Sequence, residues 1–364
     1  MTWFEVKNID TIDSPALLVY KDRVAANIEK ALRFVSKTEQ LRPHVKTHKL
    51  KEVTAMCQAA GINKFKCATI AEAEMLGQMK ASDVLLAYPV VGPKVDRLAN
   101  LVAAFPDTIY ACLIDNYDSA VRLSDRFAKK SLRVFIDLNV GMNRTGIAVD
   151  NAAKLYADCQ NLKGITIVGL HAYDGHIHSV DLGQRATEAS EVAEMILKVK
   201  LEIKEISNAE LLVVAAGSPT FHLHAEHDPH KEVSPGTFVF WDEGYSKLLP
   251  DLDFDIAAVL VTRVISKLDA RHICVDLGHK SVAAENPLPR VTFLNTKATP
   301  VSQSEEHMVL EVADADIFAI GDVLYAVPIH ICPTVALYEQ VKVVVENKII
   351  DTWMVFARDK ALQI

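Results

Sequence analysis

The sequence lacks any paired cysteine motif. Its six cysteines (Cys57, Cys67, Cys112, Cys159, Cys274 and Cys332) are scattered, with no CxxC and no dense framework. That excludes a disulfide-stapled scaffold and fits a reducing compartment. Basic excess is also missing. The formal net charge is -8 and the isoelectric point about 5.9, which argues against a nucleic-acid or anionic-membrane partner. The opening MTWFEVK carries no apolar h-region, so a secretory signal is not expected. No apolar run approaches the ~18 residues of a membrane span. A cytoplasmic location is the expectation. No internal repeat, low-complexity tract or GxGxxG is present.

What remains is an ordinary globular composition, 50% hydrophobic and 24% charged. The 364 residues suggest two domains, or one large barrel plus a smaller domain. Up to Gly217, short apolar runs alternate with longer amphipathic ones. Strands are expected at 16–20, 41–46, 64–69, 84–88, 108–114, 133–139, 165–173 and 211–216. Helical patterns lie between them, for example at 23–35, 71–80, 117–130 and 185–206. Eight such strands predict an α/β fold, a (β/α)8 barrel over 13–240. Past Gly217 helical periodicity fades. Runs at 256–265, 272–277, 308–312, 323–327 and 341–345 predict an all-β domain over 241–364, with residues 1–12 pairing into it.

One stretch holds the densest chemistry: Arg42-Pro-His44-Val-Lys46-Thr-His48-Lys49. If the strand persists, His44, Lys46 and His48 share a face. Burial and neighbouring positive charge lower a lysine's pKa and free its amine to attack a carbonyl. An exposed basic loop is the plainer reading of the same residues.

In a barrel, function gathers at the C-terminal strand ends. The run from Asp137 ends in Asn143-Arg144-Thr-Gly146, where the arginine fork suits an oxyanion or phenolate. The next strand ends in His171-Ala-Tyr173-Asp-Gly-His176-Ile-His178, dense enough for an acid/base site or a metal pair. The last ends in Gly217-Ser218-Pro-Thr220, whose amides and hydroxyls can hold a phosphate without net charge. In the β domain, His330 and Cys332 stand two apart and project to one side of an extended segment. A thiolate with an imidazole favours zinc over manganese or magnesium. Lysine, phosphate turn and arginine together suggest pyridoxal phosphate, with Tyr173 facing its pyridine nitrogen.

With these motifs the chain resembles the D-threonine aldolase and D-serine dehydratase group, pyridoxal enzymes of fold type III related to alanine racemases. Further carriers of the likeness are Ser234-Pro-Gly236-Thr-Phe-Val-Phe-Trp-Asp242, Ser304-Glu-Glu306-His307 and Pro328-Ile-His330-Ile-Cys332-Pro-Thr334. The resemblance implies that Lys46 carries the cofactor covalently and that Arg144 meets its ring oxygen. It implies that Gly217, Ser218 and Thr220 hold its phosphate, and that His330 and Cys332 hold a divalent metal. It also implies a homodimer acting on a small D-amino acid. The family's acid/base histidine falls at His178 or His176, the spacing being one residue short. Expected chemistry is that of a lyase on D-β-hydroxy amino acids. A D-threonine aldolase is the first reading and a D-serine or D-3-hydroxyaspartate dehydratase the second. A metal-dependent barrel hydrolase built on His176, His178 and Lys46, or a non-catalytic pyridoxal-binding protein, are the remaining alternatives.

Overall fold

The structure, a computed structural model, describes residues 2–364. It separates into two compact units, Met1–Lys30 with Thr47–Val53 and Thr237–Arg358, and Ala31–Lys46 with Thr54–Gly236 and Asp359–Ile364. Among the described residues, no helix is long and apolar enough to cross a membrane.

The second of these units is the α/β barrel. Its parallel sheet runs in chain order through Lys64–Cys67, Asp83–Pro89, Ile109–Ile114, Leu132–Asn139, Ile165–Ala172, Leu212–Ala215 and Glu232–Val233. The sheet's two edges meet on residues 41–44. Leu41 bridges Val233 and His44 bridges Lys66, both in parallel. Arg42 N–H donates to Val233 O and His44 N–H to Pro235 O, each at 2.9 Å. Closure removes the exposed edges that an open parallel sheet would leave.

Side chains from alternate strands fill the interior, among them Leu85, Ala111, Leu113, Phe135 and Val214. A Cβ on Gly169 would overlap the Phe135 ring, so only glycine admits that ring into the core. Helices start where short polar side chains follow a strand. The Thr69, Asn116 and Asp181 side chains accept from the backbone amides of Glu72, Ser119 and Gln184. The long helix Leu182–Ser207 stops at Asn208, which takes the left-handed conformation (φ 54°).

The eighth stave is not the expected one. Ala16–Tyr20 belongs to the other unit, between Ala258–Asp269 (antiparallel) and Gln340–Val345 (parallel). All five of its residues are buried, and a continuous apolar run serves either kind of buried sheet equally well. The stave that replaces it is the two-residue Glu232–Val233, too short and too polar in its surroundings to show periodicity.

In the β-rich unit the nine-stranded sheet runs Ala298–Gln303, Met308–Val312, His272–Val275, Ala258–Asp269, Ala16–Tyr20, Gln340–Val345, Lys348–Met354. Val323–Pro328 pairs with Ala258–Asp269 and Val291–Phe293 off this path. Its core includes Phe4, Leu18, Tyr20, Val259, Val261, Tyr325 and Val344. Among the described residues, those before Ala16 form no strand. Lys7 N–H donates to Asn347 O at 2.9 Å, and the Asn347 side chain donates to the Thr2 and Glu5 carbonyls.

Candidate active site

The barrel strand carrying the Lys46 stretch ends at His44, and residues 45–48 form a turn. Side-chain bonds to the backbone take over from the ladder. His44 Nδ1 accepts from Lys46 N–H at 3.2 Å, and His48 Nδ1 accepts from Leu50 N–H at 3.0 Å. The shared face expected for His44, Lys46 and His48 is therefore not formed. Burial, with Lys49 nearby, pushes the His48 ring down to about 3, so it stays neutral.

Lys46 lines a cavity of about 600 Å³ at the mouth of the barrel, together with His44, Lys66, Arg144, His171 and Tyr173. Three basic side chains surround the Tyr173 ring. Lys46 Nζ lies 5.8 Å from its centroid, Lys66 Nζ 5.3 Å and the Arg144 guanidinium carbon 5.3 Å. Among the described residues no carboxylate lines this cavity. It is a basic chamber with an aromatic wall, suited to a planar anionic guest.

Lys66 was not singled out in the sequence, and His171 only as the first imidazole of the run from His171 to His178. His171 sits two residues before Tyr173, so strand alternation turns both into the barrel, and that was the available signal. Its Nδ1 meets Asp137 Oδ1 at 2.6 Å, and Thr145 Oγ1 donates to Asp137 Oδ2 at 2.9 Å. Burial raises the Asp137 carboxyl's pKa, but its bonds to His171 and Thr145 and the nearby Lys66 charge outweigh this and hold it low. The His171 ring is pushed down by burial and then by the charge of Lys66. A neutral ring donating Nδ1–H to Asp137 leaves a lone pair on Nε2, which is buried and without a partner.

His176 and His178 lie elsewhere. They line a second cavity of about 600 Å³ with Gly141, Ser179, Glu188 and Glu191. The chain leaves the sheet after Ala172 and turns at 175–176. Asp174 is anchored inward, its Oδ2 2.9 Å from His224 Nε2. The His176 ring lies over Gly141 (φ 126°), where any Cβ would collide with it. The structure therefore does not bring these two histidines together with Lys46, and the hydrolase arrangement that needed all three is not formed.

The Gly217 turn meets the Lys46 cavity through Tyr173. A Cβ at Gly217 would stand 3.0 Å from the tyrosine ring. Ala216, just before it, is held at φ 70°, a costly conformation for a residue with a side chain. Ser218 Oγ accepts from Gly236 N–H at 3.2 Å. The hydroxyls of Thr220 and Ser234 are buried and have no hydrogen-bond partner. Leaving such groups unmade costs about 1–3 kcal/mol each. Unspent hydroxyls beside a glycine turn fit a phosphate, and a basic aromatic chamber fits the ring of pyridoxal phosphate.

The β-rich unit holds His330 and Cys332. Glu285 Oε1 stands 2.6 Å from His330 Nδ1, the kind of carboxylate that orients a metal-binding imidazole. Burial works against charge on the His330 ring, but bonding to Cys332 and to Glu285 lifts it to about 9. Thr47 Oγ1 approaches Cys332 Sγ at 3.1 Å and Thr237 Oγ1 at 3.4 Å. Among the described residues, no group of three or more His, Cys, Asp or Glu side chains is arranged to hold a metal ion. The chemistry of the pair, a thiol and an imidazole, fits two protein ligands that would hold a divalent cation.

Three comparisons with known proteins bear on the site. The chain is 26% identical over 355 residues to the D-threonine aldolase of an Arthrobacter species, covering 95% of this chain and 93% of that one. It is 25% identical to the D-threo-3-hydroxyaspartate dehydratase of a Delftia species, covering 94% and 97%. The crystal structure of D-threonine aldolase from Filomicrobium marinum superposes with a TM-score of 0.89 at 25% identity, covering 98% of each chain. Residues 257–344 match the family described as putative serine dehydratase domain. Residues 19–243, more than half the chain, match the family described as alanine racemase, N-terminal domain, and the protein belongs to that family.

Proposed function

We propose that this protein is a pyridoxal-phosphate-dependent lyase of D-β-hydroxy amino acids, and that it cleaves D-threonine-like substrates to glycine and an aldehyde. The observation that carries the reading is the meeting of Lys46, Arg144 and Tyr173 in one cavity, in a chain similar over nearly its whole length to D-threonine aldolases. Lys46 would hold the cofactor, Arg144 would meet its ring oxygen and Tyr173 would wall its ring. Gly217, Ser218 and Thr220 would hold its phosphate. When bound, the cofactor supplies an electron sink for the bonds at Cα. His330 and Cys332 would hold a divalent cation, zinc by the softness of the thiolate, which supplies a Lewis acid. The role of base toward the β-hydroxyl passes from His178 or His176 to His171, a residue lining the Lys46 cavity whose Nε2 is without a partner and whose Nδ1 is fixed by Asp137. Homodimerisation follows from the resemblance, and sedimentation measures it.

Incubation with D-threonine, pyridoxal phosphate and a zinc or manganese salt tests the reading. Glycine and acetaldehyde are expected in equal amounts. A second reading, dehydration to a keto acid and ammonia, is favoured by the similarity to D-threo-3-hydroxyaspartate dehydratase. Keto acid from D-threonine or pyruvate from D-serine, without glycine, would replace the first reading by the second.

The phosphate assignment makes a separate prediction. Thr220→Val keeps the side chain's shape and removes a buried hydroxyl with no partner. The cofactor-free variant should be more stable than wild type by about 1 kcal/mol, because an orphaned polar group is gone. Its affinity for pyridoxal phosphate should fall about tenfold, the worth of one hydrogen bond to a charged oxygen. Thermal melts and fluorescence titration measure the two effects. A loss of stability with unchanged affinity would remove Thr220 from the phosphate site.

A further inference from the structure

The cavity contains two lysines, and the proposed function uses one. Lys66 stands at the C-terminal half of the Lys64–Cys67 strand, paired in the ladder with Leu85 and bridged to His44. Its residue is buried, yet its amine makes no hydrogen bond and lines the same chamber as Lys46. A buried ammonium with three unmet donors is costly, whereas a buried neutral amine costs far less. Geometry therefore favours the free base.

We propose that Lys66 is a second catalytic lysine, the base that takes the proton from the α-ammonium group of an amino acid entering the Lys46 cavity. The inference rests on the reading of Lys46 as the cofactor lysine. An amino acid arrives as its ammonium form, which has no lone pair. The N–H bond of the substrate breaks, its electron pair stays on the substrate nitrogen, and the proton passes to Lys66 Nζ. The products are a free α-amine and a Lys66 ammonium. The atoms and charge balance without any co-reactant.

The surroundings suit this exchange. The charged and titratable groups around Lys66 are Lys46, Asp137, Asp174, Arg42 and His171, with His44 bridged to it, Arg144 lining the same cavity and the Tyr173 ring 5.3 Å away. Burial, followed by the charge of Lys46, brings the Lys66 amine down to about 7, with Asp137 and Asp174 opposing. Near neutral pH it can therefore both accept a proton and release it. Asp174 is bonded in turn to His224 (2.9 Å), whose Nδ1 lies 3.2 Å from Lys231 Nζ, all three residues being buried. The two carboxylates near Lys66 would ease its charging once the proton arrives.

Two measurements test the inference. In the cofactor-free wild-type protein, trace labelling with acetic anhydride across pH should show Lys66 acetylated with a midpoint near 7, well below the ordinary lysine range. A midpoint in the ordinary lysine range overturns the inference. In Lys66→Ala, borohydride should still fix pyridoxal phosphate on Lys46. Stopped-flow spectra on mixing with D-threonine should then show the binding step slowed about 10²-fold at pH 7. That rate should rise about tenfold per pH unit as the substrate's own free amine appears, and added methylamine should restore it. An unchanged pH–rate profile with normal trapping on Lys46 overturns the inference alone. No trapping on Lys46 in either protein overturns the cofactor reading, and this inference with it.

Discussion

A Lys46→Ala protein is expected to fold like the wild type and to lose its cofactor on gel filtration. Lys46 lies beyond the last bridged residue of its stave, in a turn, and is only partly buried. Its amine makes no ion pair among the described residues, and the backbone bond that orders the turn uses its amide and the His44 ring. Removing such a side chain changes stability by about 0.5 kcal/mol or less. The chemical loss should be far larger. A covalent attachment point has no substitute of equal reach, so turnover should fall by at least about 10³-fold, as for other residues that form the covalent bond. Borohydride treatment followed by peptide mass mapping reads the attachment directly. The wild type should carry the pyridoxyl group on Lys46 and the variant should carry none. An adduct that persists in the variant, on Lys66 for example, would reassign the attachment site.

The barrel's alternation of strand and helix was legible because most staves are apolar runs and several of the helices after them carry cap signals, as at Thr69 and Asn116. Its closure was not. Ala16–Tyr20 looks like a barrel strand, since burial on both faces erases the period that would separate one sheet from another. Glu232–Val233 is too short to carry any period. At the site, Lys46, Arg144 and Tyr173 drew notice because each sits at a strand end among unusual residues, and the structure gathers them in one cavity. Gly217 and Thr220 drew notice from turn chemistry. Lys66 was hidden by its neighbours. In Lys-Phe-Lys-Cys both lysines fall on one face of the strand, and only the structure shows that Lys64 ends in an ion pair with Glu232 while Lys66 is buried against the cavity. His176 and His178 stand apart from the Lys46 cavity for the opposite reason. They are close in sequence to Tyr173, but the Asp174–His224 contact and the turn at 175–176 carry them into another cavity. Sequence proximity after a strand end says little about direction once the ladder has stopped.

The largest stability effect is expected at Arg42, at the opposite end of the barrel from the cavity mouth. Lys64, Asp83 and Glu232 are the first residues of their strands, and Arg133 the second of its own. Arg42 joins them. Its Nη1 meets Asp83 Oδ1 and its Nε meets Glu232 Oε2, both at 2.6 Å. Lys64 reaches Glu232 Oε1 at 2.6 Å and Arg133 reaches Asp83 Oδ2 at 2.9 Å. The arginine side chain is 0% exposed and Glu232 only 5%. Arg42→Met would leave two buried carboxylates with one cation each at their outer side, costing about 3–5 kcal/mol. The melting temperature should fall by on the order of 10 °C. The loss should depend on pH. Burial alone would raise the Asp83 carboxyl, but Arg42 and then Arg133 hold it below its ordinary value. A depressed carboxylate contributes stability above its unfolded pKa, about 3.9, and loses it as pH falls through the lower folded value. In Arg42→Met that carboxyl is no longer held down as far and protonates earlier. The gap between wild type and variant should therefore be full at pH 7 and narrow as the pH is lowered toward 4. Adding Glu232→Gln to the variant should recover part of the loss, because one uncompensated charge is removed. Urea midpoints at pH 7 and pH 4.5 for the three proteins measure this. A gap below about 1 kcal/mol at pH 7, or one that widens on acidification, would mean that Arg42 does not clamp the barrel's seam.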